Sequence, residues 1–268
     1  DNSISAKAKN IWIDAQWDQE NPSKTFLTIT DDGGGMNKEA LVQAMRIGSQ
    51  SPLDIREDHD LGRFGIGLKS AALSQARRLS VITRQGGNYH IRRWDLDHIA
   101  VVEKWELLRD LHPEATDKVN QLKIRKIKKG TVILLEKLDN ILATGLAEEE
   151  PKHESWIIEL ARLKEHLEMV FHRFISRSTK KIKFFINDKP LKSWDPFCKD
   201  NLATTRCAEQ SNSIMGHDIK VRGYILPHRD KFTDENEASK YAIKFNGKLN
   251  VFYKLQNHTK VTMKAFMR

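Results

Sequence analysis

Only two cysteines, Cys198 and Cys207, occur among the 268 residues. Their spacing fits neither a zinc knuckle nor a redox pair, so both read as free buried thiols rather than parts of a disulfide framework. No apolar run approaches the roughly 20 residues that span a bilayer. Nothing at the start joins positive charge to a short apolar stretch, so no signal peptide is expected. The expectation is a cytoplasmic protein without a membrane partner. The ten histidines never form H-E-x-x-H, and no helix-turn-helix, zinc-finger or RNA-recognition signature is visible. Sequence-specific reading of bases is therefore not expected.

What the chain does have is charge and enough apolar residues for a core. Hydrophobic residues make up 39% at a mean hydropathy of −0.57, and the length allows one large domain or two of ordinary size. The net charge is +9 with a pI near 9.4, which suits a polyanion such as nucleic acid, because bound lysines and arginines release its counterions. Lys118, Lys123, Arg125, Lys126, Lys128 and Lys129 crowd residues 118–129. They read either as a phosphate-tracking stripe or as a solvated strand edge.

Three segments carry chemistry. Residues 61–72 read Leu-Gly-Arg-Phe-Gly-Ile-Gly-Leu-Lys-Ser-Ala-Ala. Their glycines free the backbone for close approach to an anion, and the segment after Gly67 opens a helix whose amides favour phosphate. Leu68 separates Gly67 from Lys69, so a Walker A loop is excluded, and G-x-G-x-x-Ser fails the dinucleotide pattern. Residues 25–30 alternate as a strand that ends in Asp31-Asp32-Gly33-Gly34-Gly35-Met36. Asp31 could accept from an exocyclic amine such as that of adenine. Gly33 and Gly35 would let a flat base lie against the backbone, and Met36 adds an adaptable apolar contact. At the start, Asp1-Asn2-Ser3 opens a helical stretch whose asparagine could offer its carbonyl to a hard cation such as magnesium. Each segment alone also fits an ordinary turn or cap.

Together and in this order the segments resemble the GHKL ATPases, the superfamily of gyrase B subunits, MutL proteins, ninety-kilodalton heat-shock chaperones, histidine kinases and MORC proteins. Asp1-Asn2-Ser3 is similar to the end of the first box, Asp31 to Met36 to the D-x-G-x-G-M box, and Gly62 to Ser70 to the lid box. Residues 130–136, beginning Gly130-Thr131, resemble the family's Gly-Thr strand. Lys69-Ser70, Arg46-Ile47-Gly48-Ser49 and Arg92-Arg93-Trp94-Asp95-Leu96-Asp97 look most like MORC-type and related bacterial ATP-binding proteins.

The resemblance implies an α+β fold of the Bergerat type, a mixed sheet with helices on one face, binding ATP with Mg2+. Asn2 would be the metal ligand and Asp31 the partner of the adenine amine; Gly33, Gly35, Met36, Ile47 and Thr131 would line the base pocket. Gly62, Arg63, Phe64, Gly65, Ile66, Gly67, Leu68 and Lys69 would wrap the phosphates, with Lys69 assisting phosphoryl transfer. The family's general-base glutamate stands four residues before the asparagine, hence upstream of Asp1, and is absent from the chain as written. Ser5 stands where relatives usually carry an acidic residue.

Along the chain, strands are expected near 11–17, 25–30, 79–84, 89–95, 104–108 and 131–137, and helices near 38–47 and 68–76. Gln85-Gly86-Gly87-Asn88 is a hairpin signal. The acidic break around 140–152 divides an ATP-binding domain, 1–145, from a second α+β domain, 151–268, which by position resembles the family's transducer. That domain opens on a long amphipathic helix with Trp156, Leu160, Leu163, Leu167, Phe171 and Phe174 on one face. Strands follow near 182–186, 219–226 and 251–254. By resemblance a lysine from this domain, Lys254 or Lys260, would reach the terminal phosphate. The resulting expectation is an ATP-driven switch that dimerises with nucleotide and acts on DNA or in a DNA-handling complex. A chaperone-like ATPase and a nucleotide sensor without turnover are the alternatives. Phosphotransfer through His166 or His172 is disfavoured, because the helix follows the ATPase domain instead of preceding it.

Overall fold

The structure, a computed structural model, describes residues 1–46, 67–115, 128–139, 153–179, 181–214, 217–232, 234, 238, 251–252, 254–256 and 264–265. They fall into two compact units, 1–193 and 194–268.

The first unit is a seven-stranded mixed sheet with helices on one face. Its strands are β1 (Asn10–Gln16), β2 (Phe26–Asp31), β3 (Arg78–Gln85), β4 (Asn88–Asp95), β5 (Gly130–Glu136), β6 (Lys183–Ile186) and β7 (Lys189–Pro190). They lie in the order β4-β3-β5-β2-β1-β6-β7, and only the β1–β6 pairing is parallel. Side chains alternate across a strand, so Ile11, Ile13, Leu27, Leu79, Val81, Ile133 and Leu135 share one apolar face. Onto that face pack α1 (Asn2–Ser5), α2 (Lys38–Met45), α3 (Gly67–Leu73), α4 (Leu96–Val102) and α5 (His153–Val170), through residues such as Ile4, Leu41, Met45, Ala72, Ile99 and Trp156. Leu41 and Met45 have no exposed surface; each burial contributes about 1.5–3 kcal/mol.

Local chemistry explains the element ends. The Asn37 side chain accepts from the Ala40 amide at 2.8 Å and caps α2. The hairpin between β3 and β4 has Gly86 at φ +59° and Gly87 at φ +88°, the two positive values a type I′ turn needs. α1 closes in a Schellman arrangement, with Lys7 N donating to Ile4 O at 2.9 Å and Ala8 N to Ser3 O at 3.0 Å. The left-handed position of that motif, φ +59°, is filled by Lys7 where glycine is usual. A Cβ there costs roughly 1 kcal/mol.

The opposite sheet face is polar yet buried at one end. Arg78, 3% exposed, meets Asp95 Oδ2 at 2.9 Å and Glu136 Oε1 at 3.7 Å. Register brings them together, since Arg78 lies opposite Asp95 on β4 and Glu136 on β5. Asp95 is held below the usual carboxylate range: burial would raise it, but Arg78 outweighs that by charge and hydrogen bond.

Three expectations need adjustment. Residues 104–108 form no strand; only Leu108 bridges to Arg93, because the apolar Leu107 and Leu108 are consecutive rather than alternating. A helix, α4, follows β4 where none was expected, started by Asp95 accepting from His98 N at 3.4 Å. The long helix and β6 also belong to the first compact unit, whereas the composition break puts a boundary at 145–151. Trp156 packs at 6.2 Å from Trp17, and Phe184 of β6 stacks on Phe171 at 5.1 Å, so the helical stripe is a core face.

In the second unit the described pairings are β8 (Thr205–Arg206) with β11 (Tyr224–Ile225), and β9 (Gln210–Ile214) and β13 (Lys254–Gln256) each with the central β10 (His217–Arg222). A further pair joins β12 (Val251–Phe252) to β14 (Lys264–Ala265). Phe197 lies against Tyr224 with centroids 5.1 Å apart. Cys198 is buried and Cys207 half-buried, and neither is in a disulfide. Among the described residues no helix is long and apolar enough to cross a membrane.

Candidate functional site

The acidic strand tip is built where β2 ends beside the beginnings of β1 and β5. Asp31 is opposite Ile11 on one side and Thr131 on the other. Its carboxylate is 5% exposed. Oδ1 accepts from Gly33 N at 2.9 Å and Oδ2 from Ser3 Oγ at 2.9 Å. Burial pushes its pKa above the usual carboxylate range, against the pull of the Gly33 amide and the Ser3 hydroxyl. The Ser3 bond ties the first motif to the second.

The glycines after Asp31 are required by their surroundings. A Cβ on Gly33 would stand 2.8 Å from both Ala6 Cβ and Asp31 Oδ1. Gly34 N donates to Ala6 O at 2.9 Å, so the end of α1 lies directly on this loop. Gly35 has φ +68°, and a Cβ there would overlap the Arg84 carbonyl. The backbone can approach its neighbours, or a flat ligand, only because these side chains are missing.

Thr83 joins the pieces, and the sequence reading passed over it. Its Oγ accepts from Met36 N at 2.8 Å, reaches Gly130 O at 3.2 Å and lies 3.3 Å from Thr131 Oγ. One hydroxyl has one proton to give. Donation to Gly130 O therefore makes Thr131 the donor in the threonine pair. Thr83 is fully buried and opposite Thr131 in register. A threonine in a strand pattern looks like ordinary β-branched filler, so only the register reveals it.

Lys69 is on α3 and 3% exposed, and its Nζ donates to Ala44 O at 2.8 Å. Burial lowers its pKa. The Trp94 indole donates to Met45 O at 2.9 Å. Both satisfy carbonyls that the last turn of α2 cannot pair internally. Leu68 packs half-buried against the core. Asn2 is exposed in α1, one residue from Ser3. Thus Asn2, Asp31, Gly33, Gly35, Met36 and Thr131 belong to segments that meet around one strand tip. Lys69 in turn is engaged with α2. Ile47, Gly62, Arg63, Phe64, Gly65 and Ile66 lie outside the described residues, as does Lys260; Gly67 begins α3. Lys254 begins β13 in the second unit. Among the described residues no group of three or more His, Cys, Asp or Glu could hold a metal. A cation here would rely on Asn2 and on oxygens of a bound phosphate.

Residues 1–131 match the family described as histidine kinase-, DNA gyrase B-, and HSP90-like ATPase. The chain is similar to ATPase morc-1 of Caenorhabditis elegans, 34% identical over 87 residues, a stretch covering 32% of this chain and 10% of that protein. The chain therefore spans only a small part of that relative. The ATPase region of Saccharomyces cerevisiae topoisomerase II superposes with a TM-score of 0.43 at 14% identity, over 84% of this chain and 57% of that one. For the ATPase and transducer domains of DNA topoisomerase II from Balamuthia mandrillaris the TM-score is 0.47 at 15% identity, over 85% and 55%.

Proposed function

We propose, from the match of residues 1–131 to the histidine kinase-, DNA gyrase B-, and HSP90-like ATPases, that the chain is an ATP-driven conformational switch acting on DNA or in a DNA-handling complex. The observation that carries the nucleotide reading is the buried Asp31 carboxylate beside a loop that tolerates no Cβ at Gly33 or Gly35. In this reading the carboxylate accepts from the exocyclic amine of a base, and Met36 and Thr131 flank its plane. Thr83 keeps Met36 and Thr131 at fixed spacing through its three contacts.

Asn2 would hold magnesium through its side-chain oxygen, and the ion would neutralise charge on the phosphates. Lys69 would join the phosphates by leaving Ala44 O, at the expense of one buried hydrogen bond. A bound nucleotide can drive a change only by its differential affinity for the closed state. In this reading two copies associate in the closed state. The net charge of +9 supports a nucleic-acid target.

Light scattering with and without a non-hydrolysable ATP analogue, alongside phosphate release from Mg·ATP, tests the proposal. A doubled mass with the analogue and measurable turnover are expected. An unchanged mass refutes the association of two copies, and binding without turnover leaves a nucleotide sensor.

A further inference from the structure

Lys7, Lys9, Asp32, Lys128 and Lys129 line a cleft of about 310 Å³ in the first unit, at the end of the sheet where β1 and β5 begin. All four lysines are exposed, and among the described residues none of their ammonium groups makes an ion pair. Asp32 does not neutralise them. Its Oδ1 accepts from the Lys9 and Asn10 amides at 2.7 and 2.8 Å, and Oδ2 from Asn10 Nδ2 at 2.6 Å. The cleft keeps a formal excess of three positive charges. Lys7 is the lysine held in the left-handed position that ends α1. A strained residue where glycine would be relaxed points to a role for its side chain.

We infer that this cleft binds the phosphodiester backbone of duplex DNA. The inference rests on the switch reading and names the site through which the target is held. Among the described residues the lining carries no arginine, aromatic or apolar side chain. Lysine offers a point charge without the fork that reads guanine edges. The lack of a stacking platform argues against single strands, whose binding uses aromatic rings. Four ammoniums around an open cleft suit the repeated charges of a polymer better than one terminal phosphate. The interaction is sequence-independent, in keeping with the lack of a base-reading motif.

Fluorescence anisotropy with a labelled random-sequence DNA duplex, titrated at several salt concentrations, tests this on the full chain. Four phosphate contacts give a log–log salt slope near −3.6, or about a 150-fold loss between 50 and 200 mM salt. Lys128→Ala/Lys129→Ala is expected to flatten the slope by about 2 while leaving ATP affinity unchanged. Lys7→Gly separates charge from folding: it is expected to flatten the slope by about 1 while Tm holds or rises by about 2 °C. Unchanged slopes in both variants overturn the inference. So does a poly-glutamate competitor that displaces the duplex at equal charge concentration, which would indicate an acidic peptide instead. Loss of ATP binding by the unaltered chain would defeat the switch reading, whereas intact ATP binding with unaltered slopes defeats only the DNA site.

Discussion

Replacing Thr83 by valine removes one hydroxyl and keeps the side-chain shape. The Met36 amide loses its acceptor at 2.8 Å, the Gly130 carbonyl loses its donor, and the Thr131 hydroxyl loses its neighbour. A buried amide left unpaired costs about 1–3 kcal/mol, and each lost hydrogen bond a further 0.5–1.5 kcal/mol or so. Met36 is only half-buried and the two other contacts are long, so the total should be about 2–3 kcal/mol. That corresponds to a fall in Tm of roughly 4–10 °C for a chain of this size. On the proposed reading, in which Met36 and Thr131 flank the base, nucleotide affinity should fall as well. Calorimetric titration with an ATP analogue and thermal unfolding followed by circular dichroism read the two effects. Thr83→Ser keeps the hydroxyl and should retain most of the affinity. A valine variant with unchanged Tm and unchanged nucleotide affinity would refute the assigned role.

The other perturbations concern backbone, charge and protonation. Gly35→Ala should cost at least about 3 kcal/mol, because positive φ is joined to an overlap with the Arg84 carbonyl. Gly86→Ala, at φ +59° in open space, should cost only about 1 kcal/mol; chemical denaturation compares the two. Arg78→Met removes the buried guanidinium shared by Asp95 and Glu136 and should cost about 3–5 kcal/mol, read in the same denaturation series. Burial raises the Asp31 pKa, so the folded chain binds its proton more tightly than the unfolded chain. Stability contributed by this group should therefore fall as pH rises from about 3.9 through the raised folded value, then level off. Asp31→Asn should abolish that slope in Tm-versus-pH profiles, and ATP affinity of the unaltered chain should rise across the same window as the carboxylate ionises.

Much of the strand tip is legible in the sequence because its chemistry is local. Asp31, Gly33 and Gly35 are adjacent, and the strand before them announces itself by alternation. The hairpin at Gly86-Gly87 is legible for the same reason. What escapes is set by register between distant segments. Thr83 matters because β3 pairs with β5 so that Thr83 faces Thr131, and Arg78 because the same pairing sets it against Glu136. The placement of β6 beside β1 in parallel is likewise invisible locally, and the acidic break at 140–152 suggests a division before it. Lys69 reads as a phosphate ligand from its place after the glycines, while its ammonium is held by the Ala44 carbonyl at the end of α2.

The account depends most on a purine bound at the Asp31 carboxylate. Calorimetric titration of Mg·ATP into the unaltered chain and into Asp31→Asn measures this directly. A hydrogen bond to a charged group is worth about 1.5–3 kcal/mol, so a loss of about 10- to 150-fold in affinity is expected, with the fold retained by circular dichroism. Equal affinity in the two proteins, or no binding to the unaltered chain, would contradict it.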